Sequence, residues 1–379
     1  MGFIISWAYY AKESNPPANS NLPPSKIIKS IKITPWKFLA LSAAGFVLSV
    51  TPAFAAWTYT GPGTMTGTQD FSDAPTNTYD MGPSDDGASI NATLNISSGT
   101  LTLTANIATL GNGAASPAGP GTINATGGTL NIINRYWQTS IGQHVEAAGS
   151  SVNISGGATV NWDITSQGWS QQRLVIANGP FNSASASINL IGGTFAVTSA
   201  NSGDDGRGVY VGPFGNNSVG TINLTTGTFS VSGAIPFGLG GNFSSLNSTA
   251  VWASGNGASK INITDGIFKQ TGFTLATGLS TTASTFMIGT NSYVNFISGG
   301  TGALSLQGWD QSSFDALVTA GQIKLNGAAA SISDFSFSSA DGQGIYGLAS
   351  VPEPTTIATL LGGIGMLALF RRRGATPRV

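Results

Sequence analysis

The chain has 379 residues, with 15 Lys and Arg, 16 Asp and Glu, and no cysteine. Hydrophobic residues make up 41% of it, including 19 Phe and 8 Trp, and this content excludes wholesale disorder. The lack of cysteine excludes a disulfide framework.

The N-terminal region has the features of an export signal. An apolar run of 13 residues extends from Phe38 to Val50 and is followed by Ala53-Phe54-Ala55, a small-x-small cleavage pattern. A positive region precedes the run and contains Lys26, Lys29, Lys32 and Lys37. We therefore predict that residues 1–55 are an extended signal peptide, cut after Ala55 by the export machinery. A retained anchor is disfavoured because the run is short and ends at a cleavage pattern.

Between the two termini the chain is acidic. Residues 57–350 contain six Lys and Arg against 14 Asp and Glu, a formal net charge of −8. Nucleic-acid binding needs a basic surface, so no nucleic-acid partner is expected. The charge suits solubility outside the cell.

After a lead-in at residues 56–89, residues 90–307 contain seven segments that align on a glycine at intervals of 29 to 39 residues. The aligned glycines are Gly99, Gly128, Gly157, Gly193, Gly227, Gly266 and Gly300. A period of this length is typical of solenoids, propellers and arrays.

Apolar residues alternate on both sides of the glycine. Positions five and three before it are apolar in six of seven copies, as at Ile222 and Leu224. Positions two and four after the glycine are both apolar in four copies. In the copy at Gly266, Gln270 breaks this pattern, and the copies at Gly157 and Gly300 look shifted after the glycine. This alternation predicts a strand, a corner and a second strand, with the glycine giving the corner its backbone freedom.

A short apolar piece upstream of many copies, such as Val209–Gly212, adds a third strand per repeat. We therefore predict an all-β fold, a parallel β-helix of about seven imperfect coils, with a seven-bladed β-propeller as the alternative. The Ile-Gly and Gly-Gly-Thr pieces over roughly 90–307 resemble autotransporter-associated β-strand repeats. That resemblance implies a surface solenoid like the passenger part of such proteins.

An asparagine lies four positions before the glycine in six copies, between two apolar neighbours. These are Asn95, Asn124, Asn153, Asn189, Asn223 and Asn262. We expect them to line up on the solvent face. Five of the six match Asn-x-Ser/Thr, a glycan acceptor pattern. Repetition of the solenoid template explains that match; the alternative is a glycosylated or glycan-binding stripe.

Few residues suggest chemistry, and no catalytic or cofactor-binding residue is predicted. His144 is the single histidine, and no Gly-x-Ser-x-Gly motif accompanies it. The acidic pair Asp204–Asp205 lies in a glycine-rich segment and is a solvated loop, a weak Ca²⁺ candidate or, least of all, a catalytic pair.

Exposed aromatic residues are the other candidates. Trp162, Trp169 and Trp252 could stack on sugars if they share an outer face. Core packing is the competing interpretation, since large aromatic side chains dominate burial.

Residues 308–350 have a different pattern. Ser312–Ala320 is helix-like, with Asp310 or Ser312 as its cap and Gly321 at its end. Two strands, 322–325 and 332–337, are predicted to follow. We expect this region to be a cap that covers the last coil.

The chain ends in a distinctive tail, residues 351–379. Val351-Pro352-Glu353-Pro354 precedes an uncharged, mostly apolar run from Thr355 to Phe370, and the basic tail 371–379 begins with Arg371-Arg372-Arg373. As a helix the run would be roughly 24 Å long, enough to span a membrane with some local thinning. The arginines would stay cytoplasmic. A buried core helix is the alternative.

This order of elements resembles the PEP-CTERM sorting signal. The resemblance implies export, transient anchoring through 355–370, processing by an exosortase-type enzyme near the Pro-Glu-Pro, and a link to extracellular polysaccharide. We therefore expect an exported structural or adhesion-type protein of the cell surface or matrix. A β-helix polysaccharide-degrading enzyme and a glycan-binding module are the alternatives.

Overall fold

A computed structural model shows that the repeats form an all-β solenoid of mostly parallel strands, as the sequence predicts. It describes residues 58–60, 64–71, 77–80, 88–105, 108–112, 119–134, 138–165, 173–179, 184–199, 208–213, 217–233, 235–243, 252–254, 257–271 and 286–349. The propeller alternative is wrong, because propeller blades are antiparallel sheets and the strands here pair in parallel from coil to coil.

The first of three sheets is built from the strands that precede the corner glycines. It stacks β2 (Thr64–Phe71), β4 (Ala88–Ile96), β7 (Thr122–Ala125), β10 (Ser150–Ser155), the first half of β13 (Ser185–Thr198), the first half of β15 (Val219–Ser232), β19 (Lys260–Ile263), β22 (Tyr293–Phe296) and β24 (Ile323–Leu325).

The second sheet is built from the strands that follow the corner. It stacks β1 (Thr58–Thr60), β3 (Asn77–Asp80), β5 (Thr100–Ala105), β8 (Thr129–Asn134), β11 (Thr159–Asp163), the second halves of β13 and β15, β20 (Ile267–Thr271) and β23 (Ala303–Gln307).

The third sheet contains the short upstream pieces. It stacks the start of β4, β6 (Ala108–Asn112), β9 (Thr139–Gln143), β12 (Arg173–Asn178), β14 (Gly208–Val211), β16 (Phe237–Leu239) and β21 (Phe286–Ile288). Between β16 and β19 a hairpin of β17 (Gly241–Phe243) and β18 (Trp252–Ser254) is inserted.

The core lies between the three sheets and is apolar because the repeats alternate with period two. Inward residues of the first sheet, such as Val152, Ile188 and Ile222, are fully buried and pair with one another across coils. Behind the second sheet, Phe195 stacks on Phe229 at 5.2 Å between ring centroids. Gln270, which breaks the sequence pattern, is buried and donates through Nε2 to the carbonyl of Ile235 at 3.1 Å.

The corners explain why two copies look shifted in the sequence. At a regular corner, Gly128 has φ +70°, and an added Cβ would lie 2.5 Å from the carbonyl oxygen of Gly99. In the third copy the corner position belongs to Ala158, whose carbonyl accepts from the amide of Thr194. One extra residue therefore separates the flanking strands, and the alignment on Gly157 is one residue out of register. In the seventh copy a longer insertion places Gly302 directly before the second-sheet strand, so the alignment on Gly300 is likewise wrong.

The C-terminal region closes the stack. The helix α1 (Gln311–Thr319) lies where the sequence predicts one, and Asp310 caps it by accepting from the amide of Ser313 at 2.8 Å. Three antiparallel strands follow β24: β25 (Ala328–Ala329), β26 (Phe335–Ala340) and β27 (Gln343–Leu348). β27 pairs with β23, and β26 pairs with β27.

The predicted strand at 332–337 is partly wrong. Residues Ile332–Asp334 form a 3₁₀ turn, because Ser331 and Asp334 make a reciprocal capping box, and the strand begins only at Phe335.

Several predicted elements lie outside the described residues: the signal peptide with Ala53 and Ala55, the sorting segment 351–379, and its apolar run 355–370. Among the helices that the structure describes, none has the length and apolar character needed to cross a membrane.

Candidate functional site

The outer faces of the first and second sheets are the accessible surfaces on which a site could be built. Their outward side chains are half-buried, whereas outward residues of the third sheet, such as Val175 and Tyr210, are completely buried. The two half-exposed faces therefore carry the candidate sites.

The predicted asparagine row lies on the outer face of the first sheet and forms a continuous ladder. Each Nδ2 donates to the Oδ1 of the asparagine one coil earlier. The donor–acceptor distances run from 2.7 to 3.1 Å along Asn124→Asn95, Asn153→Asn124, Asn189→Asn153, Asn223→Asn189, Asn262→Asn223 and Asn295→Asn262.

The ladder has one more member than the sequence predicts. Asn295 pairs with Asn262 in the sheet register, but it lies five positions before Gly300 and so falls out of the glycine alignment. An alignment on the apolar pair of the first strand, Val294 and Phe296, would have found it.

All amides of the ladder point the same way, and the cap completes the series. Every donor faces the N-terminal end, so the Oδ1 of Asn295 faces the C-terminal end, where it accepts from the backbone N–H of Gly327 at 2.6 Å. Aligned hydrogen bonds polarise and strengthen one another. The cap therefore supplies the last donor that the ladder needs.

This geometry accounts for the Asn-x-Ser/Thr repeats by stacking. An amide offers two N–H donors and one carbonyl oxygen, and the ladder uses one donor and the oxygen of each internal member. Asn153 and Asn189 also approach the hydroxyls of Ser151 and Ser187, at 3.4 and 3.3 Å. Attachment of a glycan at Nδ2 would disturb these contacts.

A groove runs beside the ladder over four coils, with a volume of about 500 Å³. The corner residues Ser97, Thr126 and Ser155 line it together with Asn95 to Asn189 of the ladder, and none of the described residues in its lining is charged. Ile191, 65% exposed, lies at its end.

A second cavity, about 390 Å³, lies where α1 covers the end of the third sheet. Phe286, Trp309 and Leu317 give it apolar walls, and Gln322 donates there to the carbonyl of Ile288 at 2.7 Å. Among the described residues that line it none is charged, and it is a packing gap under the cap.

The aromatic candidates separate in the structure. Trp162 is completely buried and contacts Phe195, so it is a core residue and not a sugar-stacking platform. Trp252 lies in β18 of the inserted hairpin. Trp169 lies outside the described residues, as does the acidic pair Asp204–Asp205.

His144 lies in a turn directly after β9, with φ +68°, and its backbone amide donates to the carbonyl of Asn178. Within the part of the chain that the structure describes, no three His, Cys, Asp or Glu side chains converge on a possible metal position.

Burial shifts the pKa of two ionisable side chains that make structural contacts, Arg173 and Tyr346. Burial lowers the pKa of Arg173, whose Nε donates to Gln138 Oε1 at 2.6 Å. Burial, followed by the hydrogen bond to Asp315 Oδ1 at 3.1 Å, raises the pKa of Tyr346 in the cap. The Tyr346 ring also stacks on Phe314, which ties β27 to α1.

The comparison with protein families concerns the tail. Residues 350–373 match the PEP-CTERM protein-sorting motif. The matched range contains Val351–Pro354 and Arg371–Arg373, the two ends of the predicted sorting signal. The match supports an exported protein that is sorted through its C-terminal signal, and it implies processing by an exosortase-type enzyme. No curated protein and no solved structure matches the chain.

Proposed function

We propose that the protein is a structural or adhesion-type solenoid of the cell surface or extracellular polysaccharide matrix. Residues 1–55 direct its export, 355–370 hold it in the membrane, and an exosortase-type enzyme processes it near Pro352–Pro354. The observation that carries the proposal is the order of parts: the sorting motif starts at residue 350, directly after the last cap strand, which ends at Leu348. A closed stack delivered to the surface serves as a spacer or contact surface.

The composition of the outer faces supports a non-enzymatic role. On the outer face the ladder amides form hydrogen bonds with one another. Inside, the core is filled with aliphatic and stacked aromatic side chains, as expected of a structural element. The likeness of the repeats to autotransporter-associated strands supports a passenger-like surface function. No cofactor is part of the proposal.

Cell fractionation with mass spectrometry of the mature termini tests it. We compare the full chain with a version that ends at Ser350 and with one in which Arg371, Arg372 and Arg373 are all alanine. The full chain should leave the cytoplasm, lose residues 1–55 and appear first in the membrane fraction. A full chain that stays cytoplasmic with both termini intact would refute export. If the version ending at Ser350 is localised and processed like the full chain, the tail is not the sorting signal.

The uncharged groove beside the ladder favours a second candidate function, binding of a neutral glycan. Co-sedimentation with neutral and acidic polysaccharides tests it, using Thr126→Lys in the groove and Thr225→Lys as the matched control. Thr225 lies at the same corner position but does not line the groove. Equal sedimentation of the wild type, Thr126→Lys and Thr225→Lys would exclude the groove as the binding site. Polysaccharide turnover that Asp204→Asn abolishes would instead favour the enzyme alternative.

A further inference from the structure

The first hairpin of the cap turns through an Asn-Gly pair. Leu325 and Ala328 lie opposite each other in β24 and β25, so Asn326 and Gly327 are the two central residues of the turn. Their φ angles are +51° and +77°, as in a type I′ turn, for which Asn-Gly is a preferred sequence. Both residues are exposed, so water can reach them.

Asn-Gly is also a chemically reactive pair. The backbone nitrogen of the glycine can attack the side-chain carbon Cγ of the asparagine, because glycine has no side chain to obstruct the approach. A bond forms between this nitrogen and Cγ, the Cγ–Nδ2 bond breaks, and Nδ2 leaves as ammonia with the proton of the glycine N–H. Water then opens the cyclic imide at one of its two carbonyl carbons. One opening gives aspartate, and the other gives isoaspartate, in which the main chain runs through the side chain.

In the folded protein both reacting groups of the pair are held by hydrogen bonds. The N–H of Gly327 donates to Oδ1 of Asn295, the last member of the ladder, at 2.6 Å. Nδ2 of Asn326 donates to Oγ of Ser298 at 2.9 Å, and Oδ1 of Asn326 accepts from the amide of Ser298 at 3.0 Å. Different partners therefore fix the nitrogen and the carbon that it would attack. The nitrogen must leave Asn295 before it can lose its proton and react.

The bond to Asn295 is not a requirement of the turn itself. The second hairpin of the cap turns at Asp341 and Gly342, whose φ angles are +53° and +73°. Within the described residues, the amide of Gly342 makes no hydrogen bond to a side chain. The same kind of turn therefore forms without such an acceptor, and the contact at Gly327 arises because that turn lies at the end of the ladder.

We propose that Asn326 is a site of modification by deamidation and that Asn295 controls how fast it reacts. While Asn295 holds the nitrogen of Gly327, the pair reacts slowly. When this contact is lost, the nitrogen is released and Asn326 converts to aspartate and isoaspartate. One hydrogen bond of ordinary strength corresponds to a change in rate of about fivefold. The proposal does not depend on the proposed function, because it concerns only the described cap and ladder.

The two products affect the cap differently. Aspartate at position 326 keeps an oxygen that accepts from the amide of Ser298, so the turn survives. Isoaspartate adds an atom to the main chain inside a two-residue turn, so Leu325 and Ala328 no longer pair in the same register. The amide that follows then no longer reaches Asn295, and the ladder loses its last donor. Formation of isoaspartate therefore loosens the contact between the ladder and the cap.

A second Asn-Gly pair provides an internal reference. Asn178, which precedes Gly179, ends β12 in the third sheet and is buried. Its Nδ2 donates to Oγ of Ser140 at 3.1 Å. Because this pair lies away from the ladder, its reaction should not change when a ladder residue is replaced.

Peptide mass spectrometry measures the reaction. The full chain, purified in detergent micelles, is incubated at mildly alkaline pH below its unfolding temperature and digested at intervals. The fractions of aspartate and isoaspartate are then determined at positions 326 and 178. Asn295→Ala removes the acceptor for the amide of Gly327. Asn262→Ala is the matched control, because it also breaks two hydrogen bonds of the ladder but leaves the contact between Asn295 and Gly327 in place.

Asn326 should convert about fivefold faster in Asn295→Ala than in the wild type. In Asn262→Ala it should convert at the wild-type rate, and Asn178 should react equally in all three proteins. Thermal unfolding checks that both variants are folded. The proposal is overturned if the two variants accelerate the conversion equally, if Asn295→Ala does not accelerate it, or if Asn326 converts in none of the proteins.

Two milder variants test the same contacts if Asn295→Ala does not fold. Asn295→Asp keeps an oxygen that accepts from Gly327, so Asn326 should convert at the wild-type rate. Ser298→Ala changes an exposed side chain and releases Nδ2 of Asn326, so the conversion should be faster. An accelerated reaction in Asn295→Asp, or an unchanged one in Ser298→Ala, would contradict the assigned roles of these contacts.

Discussion

The corner between the third and first sheets allows a worked prediction, because one coil differs from the others there. Gly111, Gly142, Gly212 and Gly240 occupy this corner with φ between +58° and +74°. In the intervening coil the position belongs to Ala177, which is fully buried with φ +61°. The fold therefore accepts a Cβ at one of these corners. A Cβ introduced at another corner should lower the free energy of unfolding by an amount that its surroundings determine.

Gly212→Ala should destabilise the protein for two separable reasons. The left-handed backbone costs an L-residue about 1–2 kcal/mol. In addition, the new Cβ would overlap with Oγ of Ser259, which accepts from the amide of Gly220 at 3.1 Å. Displacing that hydroxyl removes a buried hydrogen bond, with a net value of about 1 kcal/mol. The free energy of unfolding should fall by about 2–3 kcal/mol in total.

A double-mutant cycle in urea separates the two terms. On a Ser259→Ala background the overlap with Oγ is gone, and the nearest remaining atom is the carbonyl oxygen of Ser218 at 3.0 Å. Gly212→Ala should then cost mainly the backbone term, and the coupling energy should be about 1 kcal/mol. Ala177→Gly is the control, because it relieves strain but removes a methyl group worth about 0.8 kcal/mol, so the midpoint should hardly move. The reasoning is refuted if Gly212→Ala costs the same on both backgrounds.

Three further predictions concern the core, the ladder and the cap. Phe229→Ala removes the middle ring of the aromatic stack and should lower the free energy of unfolding by about 3–5 kcal/mol. A decrease of less than about 0.5 kcal/mol, as for a surface substitution, would contradict the packing of this ring. Asn189→Asp leaves a carboxylate that cannot donate to Asn153, so its folded-state pKa should rise above the unfolded value of about 3.9. The urea midpoint of Asn189→Asp, compared with that of the wild type, should be highest below about pH 3.9 and should fall as the pH rises. A difference between the two midpoints that does not change with pH would contradict the ladder. The pKa of Tyr346 is raised above its unfolded value of about 10 by burial and Asp315. The contribution of Tyr346 to the free energy of unfolding should therefore be complete below about pH 10 and decrease as the pH rises above it. Tyr346→Phe should lack this alkaline component in pH-dependent thermal unfolding.

The sequence predicts those parts of the fold that depend on local alternation. The alternation around Ile222 and Leu224 predicts the inward faces, and glycines such as Gly128 predict the corners, because both follow from the geometry of a single strand or turn. Asp310 likewise predicts the start of α1, since a capping side chain acts on the amides next to it in the chain.

What the sequence does not predict depends on contacts between coils. The insertion that moves the corner to Ala158 is invisible until the strands on either side pair with their neighbours. Asn295 is missed because the insertion before Gly302 moves the glycine out of alignment, although the apolar pair Val294 and Phe296 marks its strand. The interior position of Gln270 depends on a carbonyl 35 residues away, that of Ile235, which no local pattern contains.

The asparagine ladder of the first sheet can be compared with a threonine column on the second sheet, formed by Thr100, Thr129, Thr159, Thr194 and Thr228. Both are outward columns, one residue per coil, with the same spacing. An asparagine amide is long enough to reach its neighbour across that spacing and carries both donor and acceptor, so the column bonds to itself and holds the coils in register. A threonine hydroxyl carries no extended amide, so within the described residues the threonine column does not form a side-chain ladder of this kind. The asparagine column therefore holds the coils in register through its side chains, whereas the threonine column depends on the backbone pairing of its strands.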